Sequence, residues 1–229
     1  MQYQNLRYNF FKWRYEADFI YKLMLSFLFA CFTGMAAQLR IYLPFTPVPI
    51  TAQVFAVLLS GVVLGSRYGM TSQAIYVGLG CLGLPWFANF RGGIEVLTGI
   101  TGGYLIGFII AAWIIGWLTE SLVGARRLWY LTSLMLFGVV IIYTFGAFQL
   151  TLVLNLSFKD ALIKGVLPFI PGDIIKSLAV AGLSTLILPK ESYNGEIDVK
   201  GRKDLVIKSW ILITFATALS LLALLFIYI

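Results

Sequence analysis

The 229-residue chain contains no histidine, which excludes several common kinds of catalytic and metal site. Nucleophilic sites that activate serine or cysteine through histidine are excluded, as are zinc and haem sites built on histidine ligands. The sequence also lacks the Gly-x-x-x-x-Gly-Lys-Ser/Thr motif, so it cannot hydrolyse ATP by P-loop chemistry. No cluster of carboxylates, or of cysteine with histidine, indicates another catalytic centre. We therefore expect a protein that is not an enzyme.

Charged residues are scarce: they make up 12% of the chain, whereas hydrophobic residues make up 60%. Soluble domains carry about 25% charged residues, so the charge here is too low to cover the surface of a water-soluble fold. This composition predicts an integral membrane protein and excludes soluble enzymes, secreted modules and nucleic-acid-binding proteins as main interpretations. The net charge of +7 is weak evidence for a polyanionic partner, because basic residues of membrane proteins more often report topology.

Apolar runs of about 20 residues, the length that crosses a bilayer as a helix, divide the chain. Three prolines, at positions 44, 47 and 49, cannot lie inside one helix and predict a loop over residues 43–49. Pro85 begins a second predicted loop, over residues 85–99. A helix should begin near Pro171, because proline is favoured at the first helical position. Seven all-α membrane spans are thus predicted, at residues 23–39, 50–66, 68–84, 100–122, from 128 onward, 171–188 and 205–228.

These spans divide the chain into four regions. Residues 1–20 form a cytoplasmic or interfacial segment, 21–190 a membrane domain of six helices, 191–204 a charged cytoplasmic loop, and 205–229 an extra transmembrane helix. With the N-terminus in the cytoplasm, twelve of the 17 Lys and Arg residues fall in cytoplasmic segments and four in external ones, while Lys176 lies inside a span. Because basic residues are enriched in cytoplasmic loops, this bias predicts a cytoplasmic N-terminus.

One pair of opposite charges lies within the predicted sixth span. Asp173 and Lys176 are three residues apart, so they share one face of a helix. Ionisable groups inside a membrane are costly and are functional by default. Such a pair could have a purely structural role that stabilises the helix bundle, or it could bind a polar ligand. Because desolvation can cancel the Coulomb attraction of a buried pair, a purely stabilising role is the weaker explanation.

Further polar and aromatic residues lie near the predicted external ends of the spans, and they suit a pocket for a small, partly apolar solute. The candidates for that pocket are Gln53, Trp86, Asn89 and Tyr104. Simpler explanations remain open: Asn89 could be a turn residue, Gln53 could make a packing hydrogen bond, and the aromatics could form the interfacial belt of the bilayer.

Small residues recur at four-residue spacing in the first span, at Ser26, Ala30 and Gly34. Rows of this kind let helices approach closely. The row could pack against another helix of the same chain, or it could form a docking face for another membrane protein.

Five stretches, in order along the chain, resemble BioY, the biotin-binding membrane subunit (S component) of energy-coupling-factor transporters. The resemblance covers roughly residues 23–190. Each motif alone is weak evidence for the resemblance. Five motifs in the same order and at matching membrane depths are strong evidence. The matching stretches are the proline-rich segment 43–53, the segments 56–65, 80–89 and 99–108, and the motif Pro-x-x-Pro-x-Asp-x-x-Lys at 168–176.

The resemblance implies a six-helix S-component bundle that binds biotin with high affinity on the extracytoplasmic side and takes it up across the cytoplasmic membrane. Biotin is then the transported substrate, and no cofactor is expected. A partner module of one membrane coupling protein and two ATPases is also implied. Asp173 and Lys176 would bind polar parts of biotin with help from Asn89, while Tyr104 lines the pocket and the loop 44–49 covers it. Ala30 and Gly34 would lie on the face that meets the coupling protein.

The sequence departs from the family pattern in three places. Ile100 stands where proline is usual, Gly34 stands where alanine is common, and the seventh helix exceeds the six-helix pattern. Other interpretations are the same fold for another small vitamin, a membrane-embedded enzyme, and a structural or assembly subunit without a ligand. The enzyme would need a reactive cluster at headgroup depth, for which only Asp173 and Lys176 are candidates.

Overall fold

The computed structural model describes residues 8–10, 12–13, 16–121 and 126–189. The predicted charged loop 191–204, the predicted seventh span and part of the N-terminal segment 1–20 lie outside the described residues. Two short strands, β1 (Arg40–Ile41) and β2 (Ile50–Thr51), pair in an antiparallel hairpin. The helices are α1 (Phe19–Gln38), α2 (Gln53–Cys81), α3 (Ile94–Thr98), α4 (Gly102–Ser121), α5 (Leu128–Leu154), α6 (Phe158–Gly165) and α7 (Ile170–Ile187).

The longest helical stretch, α2, is a helical hairpin. Gly65 interrupts it with φ 80° and ψ −177°. Gln53 Nε2 donates to the hydroxyl of Tyr76 at 2.8 Å, whereas 23 residues of straight helix would separate these residues by about 35 Å. The two arms are therefore antiparallel. Glycine is required at the turn because φ is positive and because a Cβ there would clash with the carboxylate of Glu120.

Five helical stretches of the described residues are long and apolar enough to cross a membrane. Gln53–Cys81 covers two of the predicted spans, and Phe158–Ile187 begins before the predicted sixth span at residue 171. Because α2 folds back on itself and the last stretch contains both α6 and α7, the five stretches contain seven helical segments. The break at Gly65 lies close to the predicted boundary at Arg67. The stretches are Phe19–Gln38, Gln53–Cys81, Gly102–Ser121, Leu128–Leu154 and Phe158–Ile187.

The core lies along α4, which packs against α2 on one side and α5 on the other. Glycines permit this close approach: a Cβ at Gly107 would lie 2.8 Å from the Cα of Ile142, and a Cβ at Gly116 would clash with the backbone at Gly65. Large side chains such as Ile115 and Met135 fill the remaining space and are fully buried. This packing fixes the position of α4, which carries one wall of the cavity described below.

Two short helices, α3 and α6, lie outside the predicted spans or beyond their clear apolar runs, and α3 falls in the predicted loop 85–99. The sequence around α6 explains its helix. Ser157 caps its N-terminus by accepting a hydrogen bond from the backbone N–H of Asp160 at 3.1 Å. Asp160 stands in the first turn and Lys164 in the last, as the helix dipole favours. The helix was missed because eight residues are too few for a clear apolar periodicity.

Candidate ligand-binding site

A cavity of about 160 Å³ opens between the β1–β2 loop, the segment 87–91 and helices α4, α5 and α7. One water molecule needs roughly 15 Å³ by such a measure, so the space suits a ligand of many atoms. Most of the lining is apolar, with a few polar groups, which is typical of small-molecule sites. The apolar wall includes Val48, Val54, Phe87, Phe108, Ile142 and Phe169.

An ion pair on α7 joins a buried carboxylate to a partly buried ammonium at the cavity. Lys176 Nζ lies 2.6 Å from Asp173 Oδ1, and the two side chains are 19% and 3% exposed. Pro171 occupies the start of α7, which puts Asp173 in the first turn, where the helix dipole favours a carboxylate. Lys176 follows three residues later on the same helix face.

Two further groups complete this polar cluster. The hydroxyl of Tyr143, on α5, donates to Asp173 Oδ2 at 2.6 Å. Lys176 Nζ donates a second hydrogen bond, to the backbone carbonyl of Thr51 at 2.7 Å. An ammonium has three N–H groups and a carboxylate can accept about four hydrogen bonds, so both retain capacity for a ligand. The cluster can therefore bind a molecule that carries both N–H donors and oxygen acceptors.

Asn89 and Arg91 lie at the exposed mouth of the same cavity. Asn89 adopts φ 68°, in the left-handed region that asparagine tolerates, so it is also the turn residue considered above. Its Oδ1 accepts a hydrogen bond from Arg40 Nη2 at 2.8 Å. A backbone bridge between Phe87 and Arg91 closes this loop on itself.

Gln53 and Tyr104 line the cavity with their polar atoms already bonded inside the chain. Gln53 accepts from Thr51 Oγ1 at 2.9 Å and donates to the hydroxyl of Tyr76 at 2.8 Å. The hydroxyl of Tyr104 donates to the carbonyl of Gly165 at 2.6 Å. These contacts fix both side chains, so each offers the ligand a preformed wall.

The structure brings five of the six predicted ligand-binding residues to one cavity. Trp86 is the exception, because it does not line the cavity. Its Nε1 donates to the carbonyl of Tyr76 at 2.9 Å, and a Cβ at Gly34 would lie 3.1 Å from its own Cβ. Trp86 thus packs between α1 and α2, next to Phe87, which does line the cavity. The five residues are Gln53, Asn89, Tyr104, Asp173 and Lys176.

The small-residue row of α1 faces the interior of the chain. Ala30 is fully buried, and Gly34 is buried beside Trp86. Neither is accessible to another protein in this conformation, so their position agrees with packing within the chain. The opposite face of α1 is exposed and apolar, with Met24, Phe27, Leu28 and Met35 on it.

Sequence reasoning missed Tyr143, the hydroxyl that bonds Asp173. A signal was present: it is a tyrosine in the interior of an apolar helix, and a buried tyrosine hydroxyl normally requires a hydrogen-bond partner. The carbonyl of Thr51 could not be found this way, because every residue has one. Ile100 also lines the cavity.

Comparisons with known proteins find close relatives of the chain. The chain is 48% identical over 150 residues to the biotin transporter BioY of Thermotoga maritima, covering 66% of this chain and 86% of that protein. It is 37% identical over 173 residues to the biotin transporter BioY of Rhizobium etli, covering 72% and 92%.

A solved structure is similar as well. It is described as the S-component for biotin from an ECF-type ABC transporter, with a TM-score of 0.67 and 29% identity, over 72% of this chain and 89% of that one. Together with the apolar helices, these likenesses identify a multi-pass membrane protein. The model of the BioY family matches residues 8–191, a range that includes every residue of the cavity, and the chain therefore belongs to the BioY family.

Proposed function

We propose that this protein binds biotin in the cavity and takes it up across the cytoplasmic membrane as the substrate-specificity subunit of an energy-coupling-factor transporter. The observation that carries the proposal is the buried Asp173–Lys176 pair, which lines an otherwise mainly apolar cavity. Further support comes from the relatives, which are named as biotin transporters, and from the solved neighbour. These names favour biotin over another vitamin and a transporter over an enzyme.

The chemistry of biotin matches these groups. Its ureido ring has two N–H donors and one carbonyl acceptor, and its side chain ends in a carboxylate. Asp173 can accept from N–H groups, whereas the Lys176 ammonium can donate to a carbonyl or a carboxylate. The bicyclic ring and the alkyl chain require apolar walls, and Phe87, Phe108 and Ile142 provide them.

The proline-rich loop forms the cover of the site in this proposal. Pro47, Val48 and Pro49 line the cavity, and the strand that follows them is held to α7 by the bond from Lys176 to Thr51. The same ammonium thus contacts the cover and the ligand-binding carboxylate. Ligand binding and closure of the loop are therefore coupled through Lys176.

The energy for uptake would come from a partner module of one membrane coupling protein and two ATPases, because the chain has no P-loop motif of its own. The solved neighbour, which is described as part of an ECF-type ABC transporter, supports this assignment. The bias of basic residues supports a cytoplasmic N-terminus and an external opening for the cavity.

The test is uptake of radiolabelled biotin by bacterial cells that lack their own biotin transporter and express this chain with a coupling module. We expect uptake with the wild-type chain and its loss in Asp173→Asn. Lys159→Met, at an exposed lysine of α6 outside the cavity, is the control. Unchanged uptake by Asp173→Asn at equal expression would contradict the proposed site. Uptake of a different vitamin instead of biotin would contradict the proposed substrate.

A further inference from the structure

A chain of hydrogen bonds at the mouth of the cavity links the end of α1 to Asn89. Arg40 donates from Nη2 to Asn89 Oδ1 at 2.8 Å and from Nη1 to Gln38 Oε1 at 3.1 Å. Its guanidinium also lies over the rings of Tyr42 and Phe90, at 5.9 and 5.8 Å from their centroids. Two hydrogen bonds and two aromatic faces therefore hold this guanidinium in one orientation.

The orientation of the Gln38 side-chain amide is determined by its neighbours. Its Nε2, which carries two N–H groups, lies within hydrogen-bond distance of three backbone carbonyls, those of Gly34, Trp86 and Phe87. Its Oε1 accepts from the backbone N–H of Phe90 at 3.2 Å. Carbonyls only accept and backbone N–H groups only donate, so the amide cannot be reversed without losing these bonds. Gln38 therefore offers an oxygen to Arg40 Nη1, while Arg40 Nη2 bonds Asn89.

The same reasoning applies to Asn89. A guanidinium donates hydrogen bonds and accepts none, so the amide oxygen of Asn89 must face Arg40. The Nδ2 group then faces away from Arg40, and among the described residues it has no hydrogen-bond partner. Asn89 also lines the cavity. Its two N–H groups are thus available at the mouth of the site.

We propose that Arg40 is a positioning residue for ligand binding, because it turns the Asn89 amide so that Nδ2, and not the oxygen, is offered to the ligand. This inference rests on the proposed function, with biotin as the ligand. Asn89 then recognises an oxygen acceptor of biotin, a carbonyl or carboxylate, and does not recognise the ureido N–H groups. Arg40 has no contact with the ligand in this role.

Three substitutions separate this role from a general effect of charge or stability. Arg40→Met removes the donors and keeps much of the apolar stem. Asn89→Asp keeps an acceptor for Arg40 and tolerates the left-handed backbone, but it replaces Nδ2 with a second acceptor oxygen. Asn89→Gly removes the side chain without backbone strain, because glycine adopts positive φ freely. Lys159→Met is the matched control, since it removes one exposed positive charge outside the cavity.

The experiment is calorimetric titration of biotin into each purified full-length variant, with the unfolding temperature without biotin as a check on folding. We expect Arg40→Met and Asn89→Asp each to raise the Kd by roughly tenfold or more, as expected for one hydrogen bond to a charged or strongly polar group. Lys159→Met should change the Kd by less than about twofold. In the Asn89→Gly background, Arg40→Met should add less than about twofold, because two residues that act as one unit are not additive.

Two results would overturn the inference: wild-type affinity in Asn89→Asp, or an effect of Arg40→Met that is as large in Asn89→Gly as in the wild type. If Arg40→Met unfolds, Arg40→Lys replaces it. That variant keeps the charge but not the planar fork that bonds two partners, so it should show the same loss. Absence of biotin binding by the wild type would contradict the proposed function. Normal binding by a folded Arg40→Lys would contradict only the role of Arg40.

Discussion

Variants of the Asp173–Lys176 pair can separate its contribution to the stability of the fold from its contribution to ligand binding. Removing either charge leaves the other one unpaired, with Asp173 buried and Lys176 partly buried. Asp173→Asn leaves the Lys176 ammonium with the carbonyl of Thr51, and Lys176→Met leaves the Asp173 carboxylate with the hydroxyl of Tyr143. The double variant removes both charges while preserving the approximate shape of each side chain. We expect both single variants to be unstable and the double variant to recover.

The magnitude follows from burial. Breaking a buried ion pair by removing one partner costs about 3–5 kcal/mol, whereas replacing both partners with neutral groups is often neutral. Asp173 is 3% exposed and Lys176 is 19% exposed, so the stranded carboxylate is less hydrated than the stranded ammonium. The free energy of unfolding should therefore decrease by about 5 kcal/mol in Lys176→Met and by about 3 kcal/mol in Asp173→Asn. The double variant should lie within about 1 kcal/mol of the wild type.

The assay measures the free energy of unfolding of purified protein in mixed micelles, by titration with a denaturing detergent and detection by circular dichroism. Biotin affinity is measured on the same samples. All three variants should lose about 2–5 kcal/mol of binding free energy, which is roughly 30-fold to several-thousand-fold in Kd. Lys159→Met, at an exposed position of α6, should change stability by less than about 0.5 kcal/mol.

Two results would refute this reasoning. If the double variant is as unstable as Lys176→Met, the pair is required for the fold and its burial does not report a ligand site. If the double variant is stable and binds biotin like the wild type, the pair is dispensable for both, which is what a structural subunit without a ligand predicts.

Three smaller effects also follow from the contacts. Tyr143→Phe removes the hydrogen bond that holds the Asp173 carboxylate in place, so it should raise the Kd for biotin about tenfold in calorimetry. An unchanged Kd would show that this hydroxyl does not contribute to ligand binding. Tyr104→Phe loses the bond to the carbonyl of Gly165, so the free energy of unfolding should fall by about 1–3 kcal/mol, and no change would contradict its importance. Gly65→Ala should lower the unfolding temperature, whereas Gly78→Ala, on the same helix with open space around it, should maintain or raise it; equal responses would contradict the turn at Gly65.

Much of the fold could be predicted because lipid imposes a simple rule on the chain. A helix that crosses the bilayer needs a long apolar run, so the predicted runs among the described residues overlap the long helical stretches of the structure, whereas the short helices α3 and α6 were not predicted. The Asp173–Lys176 pair could be found for the same reason, since charge inside a membrane requires an explanation. Its hydrogen bonds to Tyr143 and Thr51 depend on contacts across the bundle, which spacing along one helix does not reveal.

The direction in which each helix faces was the harder problem. In a soluble protein an apolar stripe points to the core, but lipid is as apolar as a protein interior, so hydrophobicity does not distinguish the two sides of α1. The small residues Ala30 and Gly34 were compatible with either side, and the structure places them inside. Trp86 is similar: its place in the sequence suggested the cavity, but its ring packs beside Gly34 and the adjacent Phe87 lines the cavity.

The central claim is that the cavity around Asp173 and Lys176 binds biotin. The most direct test is calorimetric titration of biotin into the purified wild-type protein, with Asp173→Asn titrated beside it under the same conditions. We predict saturable binding near one biotin per chain in the wild type and its loss in the variant. A folded wild-type protein that produces no binding heat and retains no biotin on gel filtration would contradict the account.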